Sequence, residues 1–139
     1  MTNRPLQLIV SHQDPLILAP GRSVQQACQH MWDRRVGAVL VVEDERLVGI
    51  FTGRDAVRAL AEGRAPRDTP LADAMTRDPD SIAPDATAID ALRRMSDGGY
   101  RHLPIVADGR VVGIVSRGDF QGLELDKLES ETGLWERIA

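Results

Sequence analysis

The sequence predicts an α/β (α+β) fold of two βαββα repeats related by a pseudo-two-fold axis, followed by a C-terminal helical extension. Three observations carry this. First, the chain repeats itself at a shift of 64 residues: Val48-Gly49-Ile50 falls on Val112-Gly113-Ile114, Asp55 on Asp119, Asp14-Pro15 on Asp78-Pro79 and Ala19-Pro20 on Ala83-Pro84. Ala27, Met31, Asp33, Val42, Asp44 and Arg46 also recur as Ala91, Met95, Asp97, Val106, Asp108 and Arg110. Two copies are too few for a solenoid and imply two similar units packed face to face, with paired clefts where they meet. Second, the apolar spacing alternates between helical and strand periods within each copy. Third, a hydroxyl residue followed three positions later by an acid recurs at each strand-to-helix junction.

In the first repeat, Leu16-Ile17-Leu18 reads as a short strand. Ser23 starts a helix with Gln26 as its capping-box partner, and Val24, Ala27, Cys28 and Met31 form its apolar face. The continuous run Val36–Val42 reads as a strand buried on both faces. Residues 43–46 are a charged turn, and Leu47–Phe51 is the returning strand. Thr52 begins the second helix, with Ala56, Val57 and Leu60 expected inward and Gly63 at its end.

The second repeat copies this order. Ser81-Ile82 is its first strand. Thr87 and Asp90 cap a helix that turns Ala88, Ala91, Leu92 and Met95 inward. Leu103–Val106 and Val111–Val115 are joined by an Asp108-Gly109 hairpin turn, and Ser116 caps the last helix. The boundaries read as 1–63 for the first repeat, 64–70 for a Pro- and charge-rich linker, 71–123 for the second repeat and 124–139 for the extension, with a helical lead-in at Leu71–Met75. In the extension Leu125, Leu128, Trp135 and Ile138 form a helical stripe opposite most of the acids, suited to packing on the core and to a dimer contact.

Composition narrows the function classes. At 139 residues, 42% hydrophobic and 27% charged, the chain fits one soluble globular domain. Net charge is −4, and the acidic balance argues against nucleic acid and anionic membrane, which need a basic stripe. Cys28 is the only cysteine, so no intrachain disulfide can form. The longest apolar run is too short to span a bilayer, and the N-terminus has no secretory pattern, so the reading is cytoplasmic. His12 and His30 lack spaced partners, so no metal site is read. No P-loop, nucleophile elbow or zinc-protease motif occurs, so no enzyme activity is read.

The sharpest local signal is Gly49-Ile50-Phe51-Thr52-Gly53-Arg54-Asp55 and its counterpart Gly113-Ile114-Val115-Ser116-Arg117-Gly118-Asp119. Two readings fit. The hydroxyl–acid pair satisfies the orphan amides of a helix start. Alternatively, the junction holds a ribose phosphate: the helix N-terminus and Arg54 or Arg117 draw phosphate, and Asp55 or Asp119 accepts both hydroxyls of a vicinal diol.

The chain resembles a tandem pair of CBS domains (the cystathionine-β-synthase type), or Bateman module. Residues carrying the resemblance are Met75-Thr76-Arg77-Asp78-Pro79, Ser81–Thr87, Ala91–Met95, Arg101–Val106 and Val112–Ser116 with Asp119. It covers roughly residues 5–123. The second copy follows the family pattern more closely: the first has Ser11-His12 in place of Met-Thr, and Gly37–Leu40 without the strand proline. The resemblance implies a regulatory module that binds AMP, ADP, ATP, NAD or S-adenosylmethionine as effector in clefts between the repeats. Asp55 and Asp119 would hold ribose hydroxyls, and Thr52 and Ser116 ribose or phosphate. Ile17, Ile82, Ala38 and the His102–Pro104 segment would line the base pocket, Ser81 would also contact the nucleotide, and Arg54, Arg101 and Arg117 would meet phosphate. The family also implies a homodimer and a separate effector protein. The alternative is a ligand-free dimerisation scaffold for an unknown partner protein.

Overall fold

The computed structural model describes residues 3–120. The expected C-terminal helical extension lies outside them. The described residues form two packing units. One comprises 14–80 with the hairpin tip 108–111; the other comprises 3–13, 81–107 and 112–120. They are called here the Asp55 unit and the Asp119 unit.

In the Asp55 unit, β1 (Ile17–Leu18) leads to α2 (Val24–Arg34), then to β2 (Ala38–Glu43), β3 (Arg46–Thr52) and α3 (Gly53–Ala61). The lead-in to the next repeat, α4 (Leu71–Ala74) and β4 (Thr76–Arg77), completes the unit. The sheet order is β1-β2-β3-β4. Strand β1 runs parallel to β2, with Ile17 opposite Leu40; β2 and β3 are antiparallel, with Ala38 opposite Thr52. The turn between them places Asp44 and Glu45 at positive φ, as a two-residue hairpin requires.

The expected helix face of α2 forms: Val24, Ala27 and Met31 are buried, and Ser23 and Gln26 cap the helix reciprocally. The strand expected from Val36 begins at Ala38; Val36 is exposed, whereas Ala38–Val41 are buried without interruption. Val39, Val41 and Phe51 join the helices in the core, while Ala38, Leu40 and Ile50 are buried on the opposite face.

The inward face of α3 is corrected. Val57 and Leu60 are 67% and 61% exposed, and the buried residues are Asp55 and Ala59. The helix packs through small side chains and its capping acid, which leaves the larger apolar residues outside. It ends as expected, with Gly63 at φ 78° and Arg64 N–H returning to Ala59 O at 3.0 Å.

The Asp119 unit contains α1 (Leu6–Ile9), α5 (Ala88–Gly98), β5 (His102–Ala107) and, from Val112 on, its hairpin partner β6 (Arg110–Ser116). Its core joins Leu6 and Val10 to Ala88, Ala91, Leu92, Met95, Leu103, Ile105 and Val115. The expected first strand is a single bridge, Ile82 to Ile105. After Ser116, one turn of 3-10 helix, Arg117–Asp119, precedes the end of the described chain.

Each unit therefore takes its short helix from the other repeat's lead-in. The hydrogen bonds match one for one. Leu6 and Gln7 N–H donate to Ala86 O and Pro84 O, and Ala88 N–H to Arg4 O; Leu71 and Ala72 N–H donate to Arg22 O and Pro20 O, and Val24 N–H to Thr69 O. These bonds use amides that open the helices and would otherwise lack partners. Residues 64–70, read as a linker, are thus packed on α2, with Thr69 buried and its Oγ1 donating to Ala65 O at 2.8 Å. The lead-ins align Pro5-Leu6 on Pro70-Leu71, one residue out of step with the rest of the repeat.

The exchange explains the paired glycines. A Cβ on Gly49 would lie 2.9 Å from Met75 Cγ, and one on Gly113 would lie 2.8 Å from Val10 Cβ. The extra lead-in residue explains a difference between the units. Backbone pairing joins β3 to β4 at Ile50 and Thr76, whereas at Ile114 the Gln13 side chain does this instead. Its amide donates to Ile114 O at 2.7 Å and accepts from Ile114 N–H at 2.6 Å.

Candidate functional site

Both strand-to-helix junctions share one backbone geometry. Thr52 (φ −115°, ψ 170°) and Ser116 (φ −115°, ψ 164°) leave their strands fully extended, and the chain then turns sharply. Gly53 N–H donates to Gly37 O at 3.2 Å in one unit, and Arg117 N–H to Arg101 O at 3.2 Å in the other. Each bond ties the helix start to the residue preceding the central strand. It brings Arg101 beside Arg117, and Ala38 opposite Thr52 as its cross-strand partner.

The two acids differ in what they hold. Asp119 Oδ2 accepts from Ser116 N–H at 2.6 Å and from Ser116 Oγ at 3.3 Å. The residue is exposed, and its Oδ1 accepts no hydrogen bond among the described residues. Arg4 reaches the Asp119 backbone carbonyl at 3.1 Å, which fixes the turn without using the carboxylate.

Asp55 is only 6% exposed. Its Oδ2 accepts from Thr52 N–H at 3.0 Å and Thr52 Oγ1 at 3.2 Å. Its Oδ1 accepts from Arg58 Nη2 at 2.9 Å and Thr76 Oγ1 at 3.3 Å. The sequence gives neither Arg58 nor Thr76 a place in the site. Arg58 lies one helical turn after Asp55, a spacing that signals an ion pair. Thr76 arrives from β4, and no local pattern reveals it.

The residues expected to line the base pocket divide by face. In the repeat register Ile17 corresponds to Ser81, and Leu18 to Ile82. Ile17 is exposed, whereas Ile82 is a core residue. Ile82 N–H donates to Pro104 O at 3.1 Å, and Ile82 O accepts from Val106 N–H at 2.9 Å, so these three lie together. Arg94 Nη1 donates to Ser81 O at 2.7 Å. His102, at the start of β5, is half-buried. Burial first, then the Arg101 guanidinium, hold its imidazolium pKa below the usual value, against an opposing pull from Asp119. A neutral imidazole there favours an uncharged partner such as a nucleobase over phosphate. Arg54 is exposed in the first turn of α3. Together, the Asp119 junction presents a carboxylate oxygen with no hydrogen bond among the described residues, a hydroxyl, arginine and an imidazole biased toward its neutral form.

Two segments, residues 9–62 and 71–123, match the family model described as the CBS domain. A CBS domain-containing protein of Arabidopsis thaliana is 41% identical over 102 residues, 72% of this chain and 19% of its own length. The chain thus spans about a fifth of that relative. A CBS domain protein from Pyrobaculum aerophilum, solved in complex with AMP, superposes with a TM-score of 0.80 at 21% identity, covering 90% or more of both chains (91% and 98%). The CBS domain pair of protein MJ0100, solved with 5′-methylthioadenosine and S-adenosyl-L-methionine, gives 0.76 at 24% identity, covering 91% and 95%.

Proposed function

The chain belongs to the CBS-domain family, with two copies in tandem, and on that premise we propose that it is a regulatory module whose effector is an adenosine-containing ligand. The observation carrying this reading is Asp119: the residue is exposed, one carboxylate oxygen caps the turn, and the other accepts no hydrogen bond among the described residues. A vicinal diol fits that oxygen, because two hydroxyls can donate side by side. Ser116 completes the sugar contact. Arg101 and Arg117 supply positive charge for phosphate, and His102, Pro104, Ser81 and Ile82 supply the base side through backbone groups and apolar contact. AMP, ADP, ATP, NAD and S-adenosylmethionine are the effector candidates; the neighbours' AMP and S-adenosyl-L-methionine support this class.

The module acts by population shift, as a homodimer in the cytoplasm, with no chemistry of its own. The effector favours whichever conformation it binds more tightly, and a partner protein reads the change. No helix among the described residues is long and apolar enough to cross a membrane. A second reading, a ligand-free interaction scaffold, draws on the exposed Trp32, Val57 and Leu60.

A thermal-shift screen with the five candidates separates the readings. A ligand at a hundred times its Kd adds about 2.7 kcal/mol of stability. A rise with at least one candidate supports the sensor. An unchanged transition across the panel supports the scaffold.

A further inference from the structure

We infer that the two junctions are not equivalent and that the chain binds one adenosyl ligand, at Asp119, because Arg58 already occupies the carboxylate of Asp55. This rests on the sensor reading and adds its stoichiometry and the residue that sets it.

A ribose at Asp55 would have to displace donors from both oxygens. On Oδ1 it would replace Arg58 Nη2 at 2.9 Å and Thr76 Oγ1 at 3.3 Å. The guanidinium bond is charge-assisted at both ends, whereas a sugar hydroxyl brings no charge, so the exchange exposes an ion pair and returns a weaker bond. Neither donor is loosely held. Arg58 Nη2 is also bound to Ala74 O at 3.1 Å, and Thr76 is fixed by the pairing of β4 with Ile50 on β3. The carboxylate side chain of Asp55 is 8% exposed, so incoming hydroxyls have little access.

The Asp119 unit lacks the same lock for reasons written in its sequence. The 64-residue shift that places Asp55 on Asp119 places Arg58 on Gly122, which has no side chain to donate. The lead-in register places Thr76 on Ser11, whose hydroxyl donates to Leu8 O at 3.1 Å instead. The Ser11 hydroxyl is therefore spent away from Asp119, and a glycine offers no side chain to take the place of Arg58.

Calorimetric titration of AMP into the full chain tests this. The expected result is one equivalent bound by the parent, lost in Asp119→Ala and retained in Asp55→Asn. Arg58→Gln keeps Asp55 but removes the guanidinium, and is expected to gain a second, weaker equivalent. Circular dichroism confirms that each variant is folded; should Asp55→Asn unfold, the parent and Arg58→Gln decide the matter. Two equivalents in the parent, or one in Arg58→Gln, would overturn the inference and leave the sensor reading standing. No heat from AMP, ATP or S-adenosylmethionine with the parent would overturn both.

Discussion

Adding a methyl at Gly113 should destabilise the chain more than adding one at Gly49, although the two glycines are repeat counterparts. At Gly113 the new carbon would sit 2.7 Å from Gln13 Oε1 and 2.8 Å from Val10 Cβ. Carbon atoms prefer about 3.5–4.0 Å. A Cβ moves only with its backbone, so α1 and the residues after it would have to shift. The Gln13 amide would also leave Ile114 and break two hydrogen bonds. Overpacking costs about 1–3 kcal/mol, and the two bonds add about 1 kcal/mol each. Loss of glycine's freedom in the unfolded chain returns about 0.4–1 kcal/mol. The net loss for Gly113→Ala is therefore roughly 2–4 kcal/mol. At Gly49 the new carbon meets the Met75 side chain, with Cγ at 2.9 Å and Cε at 3.0 Å. Methionine has three rotatable bonds and yields more readily, so Gly49→Ala should cost only about 1–2 kcal/mol. Urea unfolding followed by circular dichroism reads both. With a slope of about 2 kcal/mol per molar urea, the Gly113 variant should lower the midpoint by about 1–2 M. Equal midpoints, or a larger loss at Gly49, would refute the packing argument.

Three further outcomes follow from the same geometry. Asp55→Ala strands Arg58 and removes the α3 cap, and should cost about 2–4 kcal/mol in urea unfolding; Asp119→Ala should cost less than about 1.5 kcal/mol, because one cap and an exposed oxygen are all it loses. Burial and Arg101 depress the His102 pKa below 6.5, so its neutral form is the one the fold favours. That contribution is present above pH 6.5 and is lost as pH falls toward the folded value, because the unfolded chain then binds the extra proton. The fall in Tm between pH 7.5 and 5.5 should thus be smaller in His102→Asn than in the parent; an equal fall would refute the assignment. Ser23→Ala removes the hydroxyl that accepts from Gln26 N–H at 3.0 Å and should lower stability by about 1 kcal/mol in thermal unfolding.

Much of the fold was legible because its signals are local. The caps at Ser23, Thr52 and Thr87 were readable as hydroxyl residues followed by a partner three positions on, and each forms a reciprocal capping box. The inward faces of α2 and α5 followed from helical spacing. The orientation of α3 did not, because Val57 and Leu60 satisfy that spacing as well as Asp55 and Ala59 do. Size argued for the former, but close approach favoured the small residues. The exchange of lead-ins escaped for a different reason. Residues 3–10 and 84–89 pair across most of the chain, and nothing in either segment names the other. The Pro-Leu recurrence at Pro5-Leu6 and Pro70-Leu71 is its trace, displaced by one residue from the main register. At the junctions, the sequence supplied equal motifs, whereas Asp55 is distinguished by its contacts with Arg58 and Thr76. Arg58 lies just beyond the motif, and Thr76 reaches it only through the sheet.

The diol is the part of the account that a single comparison tests most directly. AMP and 2′-deoxy-AMP should be titrated into the parent and into Asp119→Ala. A hydrogen bond to a charged group is worth about 1.5–3 kcal/mol, so removing the 2′-hydroxyl should weaken binding to the parent by roughly 10- to 150-fold. With Asp119 gone, neither nucleotide should give a measurable titration. Equal affinity of the parent for both nucleotides would mean that the carboxylate serves the turn alone and grips no sugar.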